Sequence, residues 1–101
     1  MQIIIEDDYL EGVIRNGKET GKPKFPREVI SGFLRKIGQM KSAKDSNDLR
    51  AIKSLHFEKL SGTRKGRYSI RVNNCWRIIF RIDNNERIEI LAVEELSNHY
   101  G

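Results

Sequence analysis

The strongest constraint on this chain is a change of hydrophobic period near its middle. Upstream, Val29, Ile30, Phe33, Leu34, Ile37 and Met40 recur at helical spacing, and Arg27, Arg35, Lys36 and Lys41 fall outside that stripe. Downstream, Tyr68, Ile70 and Val72 alternate with Arg67, Ser69, Arg71 and Asn73. Trp76, Ile78, Phe80 and Ile82 continue the apolar side, with Arg77 and Arg81 opposite, and Ile88, Ile90 and Ala92 are expected to repeat it in a last strand. A helix with one apolar stripe and a sheet with one apolar face must cover each other. The expected class is α+β, with helices packed on one face of an antiparallel sheet.

The remaining elements follow from caps and breakers. Gln2 to Glu6 reads as a short opening strand, and Asp7 or Asp8 can cap a helix carrying Leu10, Val13 and Ile14 on one face. Gly12 and Gly17 weaken that helix, which should end by Thr20-Gly21-Lys22-Pro23. Pro26 suits the first turn of the longer helix. Asp45 or Ser46 can cap one further turn through Ala51. His56 is placed in a strand, facing away from Leu55 and Phe57.

The turns set the register. A two-residue loop at Asn73-Asn74 would mix the faces, whereas Asn73-Asn74-Cys75 pairs Val72 with Trp76 and Arg71 with Arg77. The same logic at the next turn puts Ile82 opposite Ile88, Phe80 opposite Ile90 and Arg81 opposite Glu89. Arg81 then has a carboxylate partner, while Arg71 and Arg77 oppose each other with no acid in register. Like charges opposed on a sheet are unfavourable unless something anionic lies between them, which points to a phosphate site.

Charge sharpens that reading. Lys53 to Arg81 holds eight basic residues (Lys53, Lys59, Arg64, Lys65, Arg67, Arg71, Arg77, Arg81) against one acid, Glu58, in a chain of net charge +5 and pI near 9.6. A positive field so concentrated suits a polyanion, and nucleic acid is the first candidate. With 101 residues the chain is expected to be one domain, residues 1–101. The longest apolar run, Ile90 to Val93, is too short for a bilayer, and the start lacks the pattern of a secretory signal. The single cysteine, Cys75, excludes an internal disulfide and a cysteine-based metal site. The expectation is a cytoplasmic domain with no membrane partner, no metal and no cofactor.

Cutting RNA needs little more than these residue types. The 2′-hydroxyl must lose a proton, the charge on phosphorus must be stabilised, and the leaving oxygen must gain a proton. Histidine can act as acid or base, and arginine and lysine stabilise the developing charge. His56 and His99 are the candidates for proton transfer, and Tyr100 could donate a proton or stack on a base.

The run Leu55-His56-Phe57-Glu58-Lys59-Leu60-Ser61-Gly62, then Gly66-Arg67-Tyr68-Ser69-Ile70-Arg71-Val72-Asn73, then Trp76-Arg77-Ile78-Ile79-Phe80, resembles the HigB-type toxins of the RelE/ParE superfamily. The resemblance implies an N-terminal helical hairpin packed on a twisted antiparallel sheet. It implies a toxin of a type II toxin–antitoxin system, held inactive by a small antitoxin that is commonly a helix-turn-helix protein. It also implies a metal-independent, ribosome-dependent mRNA endonuclease that inhibits translation, whereas ParE-like relatives with the same fold are non-enzymatic inhibitors of DNA gyrase. By motif, His56 matches the histidine of the Leu-His segment, Lys59 the lysine before the glycine turn, and Arg77 the arginine of Trp-Arg-Ile. The ending Asn98-His99-Tyr100-Gly101 is closer to the His-Tyr ending of YoeB-like relatives than to Asp-Tyr-His. The expected catalytic set is therefore His99, Tyr100, Arg77 and His56. Lys59, Arg64, Lys65, Arg67 and Arg71 are expected to hold RNA phosphates.

Overall fold

The computed structural model describes residues 1–98. In chain order it contains β1 (Gln2–Ile5), α1 (Asp8–Asn16), α2 (Arg27–Ser42), α3 (Ser46–Ala51), β2 (Glu58–Lys59), β3 (Tyr68–Arg71), β4 (Arg77–Asn85) and β5 (Ile88–Ser97). The strands form one sheet in the order β1-β5-β4-β3-β2. All neighbours are antiparallel except β1, which runs parallel to β5. The chain is thus α+β, with three helices and a mostly antiparallel five-stranded sheet.

The caps work as their side chains dictate. The Asp7 carboxylate accepts from the Leu10 amide, and α1 ends one turn earlier than the loop composition suggested, at Gly17 in the left-handed region with φ 72°. Pro26 stands just before α2, and its carbonyl accepts from the amides of Val29 and Ile30. Asp45 caps α3 through the Asp48 amide.

The helical stripe and the alternating strands meet in one core. Phe33, Met40, Leu49, Leu55, Ile70, Ile78, Phe80, Leu91 and Val93 are fully buried in it. Truncating a side chain such as Phe33 would cost about 3–5 kcal/mol. Gly32 lets α2 approach the turn after β3, since a Cβ there would lie 2.8 Å from the Val72 Cγ1. No helix among the described residues is long and apolar enough to cross a membrane.

The last strand is out of the expected register. β4 and β5 are joined by a two-residue turn, Glu86-Arg87, with Glu86 at φ 60°, so Asn85 pairs with Ile88 and Ile82 with Leu91. The displacement from the expected Ile82–Ile88 pair is an odd number of residues, and an odd shift exchanges the two faces of a strand. Leu91 and Val93 therefore enter the core, while Ile88 is 62% exposed and Ala92 sits opposite Arg81. Glu89 is not the partner of Arg81. Its carboxylate accepts from the amide and hydroxyl of Ser46 and ties β5 to the start of α3.

Candidate functional site

The sheet face away from the main core carries the arginines. Across it, Glu58, Ser69, Ile79 and Glu95 stand in one row, and Arg71, Arg77 and Ser97 in the next. Arg71 and Arg77 do oppose each other, as the three-residue turn predicted. The Val72 amide donates to the Trp76 carbonyl at 2.8 Å, closing that turn.

The two arginines differ in surroundings. Arg77 is 9% exposed, and its Nη1 donates to the Ser69 hydroxyl at 2.9 Å and to the His56 carbonyl at 3.2 Å. The same nitrogen lies 3.2 Å from the Glu58 carboxylate, so Arg77 has an acid that the register argument left out. Glu58 reaches it diagonally, from the row beside Ser69. Arg71 has no carboxylate partner among the described residues, and its buried Nε has no hydrogen-bond partner there. Its Nη1 is 3.4 Å from the His56 Nε2. Arginine has only donors, so that contact requires Nε2 to be the accepting ring nitrogen.

His56 is not in a strand. It follows a 3-10 turn, Lys53–Leu55, with φ 47° and ψ 53°, a left-handed conformation uncommon for any residue but glycine. That backbone aims its carbonyl at Arg77 while its exposed ring meets Arg71. Strand alternation has no place for such a residue, which is why the pattern misplaced it.

Two of the other expected phosphate ligands, Arg64 and Arg67, are engaged in ion pairs. Arg64 makes a two-pronged contact to Glu95 at 2.8 and 3.2 Å, and Arg67 bonds Glu94 at 2.6 Å. Arg81 binds Asp83, Glu6 and Glu94 at 2.8–3.1 Å. A β-bulge beside Ile79 and Phe80 lets the consecutive residues Glu94 and Glu95 serve the same face, which strict alternation forbids. This roof of ion pairs lies on the face where Ile79 and Ala92, 5% and 1% exposed, are buried outside the main core. Five arginines (Arg64, Arg67, Arg71, Arg77, Arg81) thus share their face with five carboxylates (Glu6, Glu58, Asp83, Glu94, Glu95). The positive field counted along the sequence is largely neutralised in space.

Lys59 pairs with Tyr68, whose ring packs on Phe80, so alternation sends it to the other side of β2 from Glu58. Lys65 is exposed in the turn before β3. His99 and Tyr100 lie outside the described residues. Ser97, in register with Arg77, brings the end of β5 to the Arg71–Arg77 row. The structure therefore unites Arg77, Arg71, His56 and a residue not singled out from the sequence, Glu58. One signal was available for Glu58: it is the single acid in the basic segment. Among the described residues no group of three His, Cys, Asp or Glu is arranged to hold a metal ion.

The ion-pair roof has a pH signature. Hydrogen bonding to Arg81 holds the Asp83 carboxyl below the ordinary 3.8. A carboxyl depressed in the folded state contributes stability that is complete above the unfolded value and is lost as pH falls through the folded one. Thermal unfolding followed from pH 7 downward should show this loss only below about pH 4, and Asp83→Asn should flatten that acid limb. An unchanged limb would remove Asp83 from the linkage.

Comparison with known proteins places this geometry. The HigB-like toxin family, RelE-like toxins of the type II toxin–antitoxin system HigB, matches residues 4–93. The chain belongs to this family. It is a RelE-superfamily toxin of the HigB type. Among similar proteins, Toxin HigB-1 of Vibrio cholerae is 32% identical over 81 residues, covering 80% of this chain and 83% of that one. An uncharacterized protein of Haemophilus influenzae is 34% identical over 80 residues, covering 79% and 77%. The YoeB-YefM toxin–antitoxin complex from Staphylococcus aureus has the same fold, with TM-score 0.63 over 99% of this chain and 98% of that one at 19% identity. In this HigB-like toxin, Arg71, Arg77, His56 and Glu58 converge at one end of the sheet.

Proposed function

We propose that this toxin is a metal-independent, ribosome-dependent mRNA endonuclease, acting in the cytoplasm and restrained by a small antitoxin, commonly a helix-turn-helix protein in this family. The observation that carries the proposal is the convergence of one carboxylate, two arginines and one imidazole: Glu58 and His56 against Arg77 and Arg71. In this reading Glu58 takes the proton of the 2′-hydroxyl, whose oxygen bonds to phosphorus as the bond to the 5′-oxygen breaks. Arg77 and Arg71 stabilise the charge on the non-bridging oxygens. His99 returns a proton to the leaving 5′-oxygen, and Tyr100 assists it. The products are a 2′,3′-cyclic phosphate and a 5′-hydroxyl, and no metal is required.

Arg77 is held by Ser69 and the His56 carbonyl before any RNA arrives, so it acts as a fixed donor. Arg77→Ala should lower cleavage about 10²–10³-fold, the usual effect of losing one preorganised donor to a transition-state oxyanion. Single-turnover cleavage of ribosome-bound mRNA measures it. Arg71 has no carboxylate partner among the described residues and is the better site for ground-state phosphate binding. Arg71→Ala should reduce the log–log salt slope of ribosome binding by about one unit. A slope equal to that of the parent would take Arg71 out of the phosphate site.

The deciding experiment is primer extension on an mRNA incubated with the purified toxin, with and without ribosomes, beside a gyrase supercoiling assay. Cuts that appear only with ribosomes support the endonuclease. Intact mRNA with lost supercoiling would replace it by a ParE-like gyrase inhibitor.

A further inference from the structure

The two edges of the sheet are unlike. At one edge β2 is two charged, exposed residues long, whereas β1 at the other is Gln2-Ile3-Ile4-Ile5, with no proline, charge or bulge. Proteins commonly blunt an open edge with such devices, because its unpaired amides and carbonyls accept another strand. The Glu6 amide donates to the Val93 carbonyl at 2.8 Å, and Ile3 and Ile5 stand opposite Leu91 and Val93. In a parallel ladder of that register the backbone of residues 2, 4 and 6 faces β5, so the amides and carbonyls of Ile3 and Ile5 point outward. The helices leave this edge incompletely covered. Ile3 and Ile5, on the core side, are only half-buried, and Ile4, on the opposite face, is 45% exposed.

We infer that β1 is an interface between two copies of this chain, paired antiparallel about a twofold axis. The strand is self-complementary in that arrangement. Ile3 exchanges both backbone bonds with the partner's Ile5, and Ile5 with the partner's Ile3. Between them Ile4 meets the partner's Ile4 as a close, non-hydrogen-bonded pair. Gln2 then stands opposite the partner's Glu6, an amide donor facing a carboxylate. The ends of the strand also differ in charge. At its start the Met1 ammonium donates to the Lys41 and Ala43 carbonyls, next to the exposed Lys41 and Lys44, while the nearby Asp45 is engaged in capping α3. At its end Glu6, Asp7 and Asp8 follow in succession, with Arg81 bound to Glu6. A twofold axis sets the acidic end of each strand beside the basic end of the other, whereas parallel pairing would set like against like. The Arg71–Arg77 row lies on β3 and β4, beyond β5 from this edge, so the inference is independent of the proposed chemistry.

Sedimentation equilibrium of the purified toxin alone tests it. The mass should rise from 11.8 kDa to twice that value as concentration approaches millimolar, in keeping with a small, transient interface. Ile4→Lys and Ile4→Glu should each stay monomeric, since either sets like charges together on the axis, and the two mixed should form a heterodimer. The exposed Ile88→Lys should associate like the parent, because Ile88 lies on β5 rather than on the edge. On the parent chain, which needs no variant to fold, the amides of Ile3 and Ile5 should exchange at least tenfold more slowly in the dimer. A parent that stays monomeric, a mixture that fails to pair although both variants are folded, an Ile88→Lys protein as monomeric as Ile4→Lys, or dimers with these amides unprotected would overturn the inference. If the free toxin is a monomer and an antitoxin alone protects these amides, the edge serves a different protein and the inference falls.

Discussion

Replacing Glu58 by glutamine should slow mRNA cleavage about 10²–10⁴-fold, the usual effect of removing a proton-transfer group. The substitution keeps the shape of the side chain and an oxygen that can still accept from Arg77, but it removes the ability to take up a proton. The fold should hardly notice. Glu58 is 56% exposed, and an ion pair that open to water contributes about 0–1 kcal/mol. Arg77 keeps its other two acceptors, the Ser69 hydroxyl and the His56 carbonyl. Cleavage in single turnover, read beside the melting temperature, separates chemistry from stability. A Glu58→Gln protein that cuts within a few-fold of the parent would confine Glu58 to holding Arg77 and leave His56 as the base.

Removing residues 98–101 should also lower cleavage about 10²–10⁴-fold, because His99 is proposed to protonate the leaving oxygen and Tyr100 to assist it. Among the described residues Leu96 is the last member of the apolar core, and Ser97 completes the register with Arg77. Circular dichroism and melting temperature should therefore stay close to those of the parent. His99→Gln alone should reproduce most of the loss. If the truncated toxin still cleaves within a few-fold of the parent, the acid lies elsewhere and His56 becomes the leading candidate.

Much of the architecture was legible in the residues because it depends on short-range pattern. The stripe from Val29 to Met40 could only be a helix facing a core, and all of it but Leu34 is buried. Asp7 and Asp45 announced two helix starts through a carboxylate placed to accept a nearby amide. Asn73-Asn74-Cys75 was the one loop length that kept the faces of β3 and β4 unmixed, and the Arg71–Arg77 opposition followed from it.

What the tertiary structure decided was register after the second turn, and the company of charged groups distant in sequence. A two-residue turn at Glu86-Arg87 displaced β5 by an odd step, and alternation cannot choose between registers when Ile88-Glu89-Ile90-Leu91-Ala92-Val93 offers apolar residues to both faces. The bulge beside Ile79 then aimed Glu94 and Glu95 together at arginines about 30 positions away, so that charge counted along the chain became neutral pairs in space. His56 and Glu58 joined the site through a left-handed residue and a two-residue strand, both too short to leave a period. Local pattern specifies which face of an element is apolar. Which charges face one another depends on closing long loops, and only the folded chain does that.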